Sequence, residues 1–179
     1  MEIRKFGMNY GAVLGLILVL FALTFWVLGI KENESVIPAI LNNIVVVGFL
    51  VYGISQYRDH YNNSFISYSQ SLKLGTTIAF FSSVIVAFYS FIHISYLEPN
   101  MLSDVLHETE QAMLQANPEI SDEQLDLTLS MTAKFMQPHW LMIMSVLGGT
   151  LMGFIYSLII SIFLKNNNPT DIFNENSSL

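Results

Sequence analysis

His60, His93, His107 and His139 are the side chains in this sequence best suited to holding a metal or moving a proton, so their spacing is the first thing to test. Two histidines reach one ion from a single helix when they lie four residues apart, and no pair here does so. The nearest pattern, "HETE" from position 107, lacks its second histidine. Asp104 and Glu110 flank His107 at helical spacing, and His93 and His139 both fall near the ends of apolar runs, so a loose site can be drawn from them. Solvated and interfacial histidines are the expected reading, with no metal site and no cofactor.

Other chemistries lack their residues. There is no phosphate-cradling glycine loop, no G-x-S-x-G and no carboxylate-rich metal loop. Cysteine is absent, which removes disulfides, thiolate ligands and a thiol nucleophile. Seven basic residues leave no electrostatic footprint for nucleic acid. No catalytic residue set is visible, and a non-enzymatic protein is expected.

The elements that would carry any site are apolar. Hydrophobic residues make up 53% of the 179 positions and charged ones 12%, with a mean hydropathy of +0.50, which is too apolar for a soluble domain of this length. Four runs, at about 10–30, 36–56, 72–94 and 140–164, have the roughly 20 apolar residues that cross a bilayer core about 30 Å thick. None has an acidic or basic residue at its centre, where ion-coupled carriers usually place one. The first run is too long for a signal-peptide core and lacks a small-x-small cleavage site, so it reads as a retained anchor. The expected fold is an all-α, polytopic membrane protein with one four-helix domain over 1–165. Arg4, Lys5, Arg58, Lys73 and Lys165 flank one side of the spans, against Lys31 and Lys134 on the other, which predicts that both termini are cytoplasmic.

Between the second and third spans lies "YRDHYNNSFISYSQSLKLG". Ser67 and Gln70 match a capping box, and Asn62, Asn63 and Ser64 supply a turn before it. Tyr57, Tyr61 and Tyr68 suit the headgroup level, and Lys73 can snorkel back to water. The connection over about 99–137 is too long for a plain loop. Leu102, Leu106 and Met113 recur at helical spacing, as do Leu125, Leu129 and Met136, with Asn117 and Pro118 between them and a second capping box at Ser121 and Gln124. An extracytoplasmic helical hairpin is predicted, with these two apolar stripes pairing and also offering a partner contact. The polar stretch 166–179 is expected to be a disordered cytoplasmic tail.

Small residues repeat every four positions in three spans. Gly7, Gly11 and Gly15 do so in the first, Gly75, Ala79, Ser83 and Ala87 in the third, and Ser145, Gly149, Gly153, Ser157 and Ser161 in the fourth. Lipid provides no hydrophobic drive between helices, so such stripes matter by letting backbones approach. They imply packing of one bundle or a homo-oligomer interface. Asn42 and Asn43, a turn inside the second span, are expected to hydrogen-bond across helices.

"YRDHYNNSFISYSQSLKLG", "ISDEQLDLTLSM", "KFMQP" and "GFIYSLIISIFLK", in this order, resemble an uncharacterised family of small four-span bacterial membrane proteins, found chiefly in the Bacteroidota and catalogued as a domain of unknown function. The resemblance covers about residues 1–165 and implies no substrate, cofactor or catalytic residue. The expectation is therefore a packing or partner-binding component whose partners are the bilayer and a membrane protein or a second copy. The alternative is a small-solute transporter or channel subunit acting as an oligomer. A polar-lined cavity near Asn42, Asn43, Thr77 or Ser83 would favour the second.

Overall fold

The computed structural model describes residues 2–30 and 36–166, and the regular elements among them are helical. In chain order they are α1 (Ile3–Val27), α2 (Ile37–Tyr61), α3 (Tyr68–Ile92), α4 (Met101–Ala116), α5 (Asp122–Phe135) and α6 (Pro138–Leu164), with a π-helical turn, His93–Leu97, extending α3. α1, α2, α6 and α3 with its π turn are long and apolar enough to cross a membrane. Residues 31–35 and the tail expected to be disordered lie outside the described residues, except for Asn166.

Local chemistry sets the helix ends. α1 begins seven residues before the apolar run because Phe6, already inside the helix, stacks on Tyr10 with ring centroids 4.1 Å apart and is buried. It ends in a Schellman motif: Ile30 N–H donates to the Phe25 carbonyl, Gly29 N–H donates to Trp26, and Gly29 takes φ +69°. Pro38 stands in the first turn of α2, where no helical N–H is lost. Both halves of the Ser67–Gln70 box form: Gln70 N–H donates to Ser67 Oγ at 3.2 Å, and Ser67 N–H to Gln70 Oε1 at 3.1 Å. At Ser121 the hydroxyl accepts from Gln124 N–H at 3.4 Å.

The chain divides into two compact units, Met1–Val86 with Val146–Leu179, and Ala87–Ser145. In the first, Phe6 and Leu14 of α1, Leu50, Ile54 and Tyr57 of α2, Leu74 and Ile78 of α3 and Ile160 of α6 form one core, with Ile66 from the connecting loop. Phe6 meets Tyr57 and Tyr61 while Tyr10 meets Phe49 and Tyr52, so α1 and α2 are antiparallel. Tyr57, expected at the headgroup level, is buried in the protein core, where Phe6 offers its ring an edge-to-face partner 5.2 Å away. In the second unit α4 and α5 pack on each other, and neither contains a buried residue.

Candidate functional site

Packing in the first unit is built on the small residues. Gly7, Gly11 and Gly15 each face the α3 residue 70 positions later, namely Thr77, Phe81 and Ile85, so α1 and α3 run parallel. A methyl group on Gly11 would lie 2.6 Å from the Ile78 carbonyl oxygen, which is backbone and cannot turn aside. α3 meets α6 the other way round. Gly75 lies against Ser157, Ala79 against Gly153 and Ser83 against Gly149, one number rising by four as the other falls by four. The ladder continues to Ser71 and Ser161, whose hydroxyls bond at 2.9 Å and are fully buried. α3 is thus the shared helix, turning one face to α1 and another to α6. Ser145, at the edge of the second unit, is half-buried.

Polar groups along these helices are satisfied locally. Ser83 Oγ donates to the Ala79 carbonyl at 2.7 Å, Ser157 to Gly153 at 2.6 Å, and Thr77 to Lys73 at 2.7 Å. Asn43 donates to the Ala39 carbonyl at 2.7 Å and accepts from the Tyr156 hydroxyl, which ties α2 to α6. Beside the ladder, Thr76 and Phe80 of α3 and Val146, Leu147, Thr150, Leu151 and Phe154 of α6 line an open groove that is almost wholly apolar. Its two threonines bond back to Leu72 and Val146.

The loop before α3 carries contacts that no sequence motif announced. Asn63 and Ser64 take φ of 53° and 65°, and Ser64 N–H donates back to the Arg58 carbonyl at 2.9 Å. That turn exposes Ile66 to the residue after Lys165. Ile66 and Asn166 exchange two backbone hydrogen bonds, of 2.8 and 2.9 Å, and the Asn166 amide donates to the Ser64 carbonyl at 2.8 Å. Arg58 ion-pairs with Asp59 at 2.7 Å and reaches the Leu164 carbonyl at 3.4 Å, supplying a donor to the end of α6.

In the second unit His93 accepts or donates at Tyr89, 3.1 Å away, and lies 3.6 Å from Glu98. His107 is 3.9 Å from Glu110 and 3.0 Å from Gln111. Among the described residues, no group of three or more His, Asp or Glu is close enough to hold a metal ion. Leu102, Leu106 and Met113 of α4 and Leu125, Leu129 and Met136 at α5 are all half-buried, while Asp104, Glu108, Asp122, Glu123 and Asp126 are exposed.

Four long apolar helices, a short-residue seam and an amphipathic hairpin define an all-α polytopic membrane protein. The family described as "Protein of unknown function (DUF4199)" matches residues 9–166, and the chain belongs to that family. No curated protein and no solved structure matches the chain.

Proposed function

We infer that this is a non-enzymatic component of a bacterial inner membrane, with both termini cytoplasmic, that binds a partner protein through its extracytoplasmic hairpin. The observation that carries the reading is the contrast in polarity. The seam between α3 and α6 is filled by hydroxyls and hydrogens, and the groove beside it is apolar. The exposed carboxylates Asp104, Glu108, Asp122 and Asp126 give the hairpin a surface of distinct chemistry. A polar solute has nothing to hold along the groove, whereas a partner with basic side chains has several carboxylates to pair with.

The test is affinity purification from gently solubilised membranes of the native chain and of a variant with Asp104, Glu108, Asp122 and Asp126 changed to Asn or Gln. Loss of a co-purifying protein from the variant supports the reading. An unchanged set of co-purifying proteins, together with a phenotype only from substitutions at Thr76, Thr77 or Ser83, would move the transporter reading ahead. Topology is tested separately by single cysteines at Asn63 and Asn117: an impermeant thiol reagent on intact cells should label the second alone.

A further inference from the structure

α5 has two apolar faces, and the hairpin uses only one. Leu125, Leu129 and Met136 are half-buried, and α5 packs on α4. Leu127, Met131 and Phe135, again four residues apart, form a second stripe that is 58%, 55% and 57% exposed. A water-facing helix needs no such stripe.

The stripe has a direction. Its last member, Phe135, is separated from Pro138, the first residue of α6, by two residues, so the two helix ends lie within about 10 Å of each other. The Phe135 ring centroid is 6.5 Å from that of Trp140 in the first turn of α6. Trp140, Ile143 and Met144 are themselves exposed, on a helix long and apolar enough to cross a bilayer. Through the Phe135–Trp140 contact, Leu127, Met131 and Phe135 lead toward the exposed apolar residues at the start of that helix.

Charge on α5 is arranged to suit the same solvent. Its carboxylates, Asp122, Glu123 and Asp126, fall in the first five residues, at the end away from α6. At about 100° per residue, Asp126 projects roughly 140° and Asp122 roughly 180° away from Met131, while Glu123, one turn before Leu127, projects only about 80° from Met131 and marks the end of the stripe where α5 reaches water. Lys134, near the end toward α6, has a stem long enough to carry its ammonium out to water.

We propose that α5 is an interfacial helix whose Leu127–Met131–Phe135 stripe, with Trp140, lies at the headgroup–acyl boundary of the leaflet on the hairpin side. An amphipathic helix with an apolar face and a charged one takes this position, and the Phe135–Trp140 pair marks the headgroup level where aromatic rings collect. α4, packed on the other apolar face of α5, is then held clear of the lipid with Asp104 and Glu108 in water. This inference stands apart from the partner-binding reading: the stripe can face lipid whether or not the carboxylates bind a protein.

The chain has no cysteine, so single labels need no background removal. Nitroxide labels at Met131→Cys and Phe135→Cys, with Asp126→Cys and Ser130→Cys as references, are read in the full-length protein reconstituted in phosphatidylcholine vesicles. Collision rates with oxygen, which concentrates in lipid, and with a water-soluble nickel chelate report the surroundings. The expected result is an oxygen-to-nickel accessibility ratio at least several-fold higher at 131 and 135 than at 126 and 130. Equal ratios at all four sites, with ready access for nickel, would place the stripe in water and overturn the proposal. Immobile labels at 131 and 135 that neither reagent reaches would overturn it in favour of a second copy covering the stripe. A label at Leu127→Cys replaces the one at 131 if that variant does not purify as a single species.

Discussion

Where α3 meets α6, side chains shrink to a hydrogen, a methyl or a hydroxyl, and where α4 meets α5 they are leucines and methionines that remain half-buried. The two regions are built as different solvents would require. In lipid a leucine gains nothing by leaving its surroundings, so helices associate through close approach and hydrogen bonds. In water a leucine gains by burial at about 25 cal/mol per Å², and two amphipathic helices associate even through an imperfect fit. The ladder is consequently intolerant of volume, and the hairpin is intolerant of polarity.

The contrast breaks most readily at the glycines. Gly11→Leu or Gly153→Leu should destabilise by about 1–3 kcal/mol or more, since the Ile78 backbone and the Ala79 methyl occupy the space. The loss should appear as a lower melting temperature in detergent, with Leu158→Ala costing less. Equal stability of these variants would mean that small size has no bearing on the seam. On the hairpin the sensitive change is the reverse. Leu106→Ser with Leu129→Ser should cost roughly 1–2 kcal/mol for each half-buried side chain, read as faster amide exchange in α4 and α5 with the four long helices unaffected. Neighbouring glycines sharpen the ladder further. Gly149→Ala should cost on the order of 1 kcal/mol because its methyl meets Ser83; Ser83→Gly should restore the loss, and Gly148→Ala, which meets nothing within 4 Å, should be neutral. The smallest effect belongs to Ser161→Ala, which removes one buried interhelical bond worth about 0.6 kcal/mol.

The same contrast explains what was legible beforehand. Small size belongs to the residue itself, so the period of four in α1, α3 and α6 could be seen without a structure. Which stripe meets which could not, because Gly75 carries no sign that Ser157 is its neighbour. Capping boxes at Ser67 and Ser121 were readable because donor and acceptor lie three residues apart. The Ile66–Asn166 bridge was not, since its bonds are between backbone atoms that every residue possesses. The chemical type of Tyr57 suggests an interfacial place, whereas its burial depends on Phe6 from another helix. On α5 the periodicity through Leu125 and Leu129 is shared by a second stripe with the same spacing, and exposure alone separates the two. The π-helical turn His93–Leu97 also left no trace in the pattern, and nothing in the local sequence accounts for it.

The bridge between Ile66 and Asn166 has a consequence for the order in which the molecule is made. Its two halves stand a hundred positions apart, with α3, the hairpin and α6 all lying between them. During synthesis the loop leading into α3 must wait, its Ile66 N–H and carbonyl answered by water, until the last helix has been translated and delivered. The fastening is therefore a late event that registers completion of the bundle: a chain cut short after Leu164 would contain all four long helices and still leave that loop unlatched.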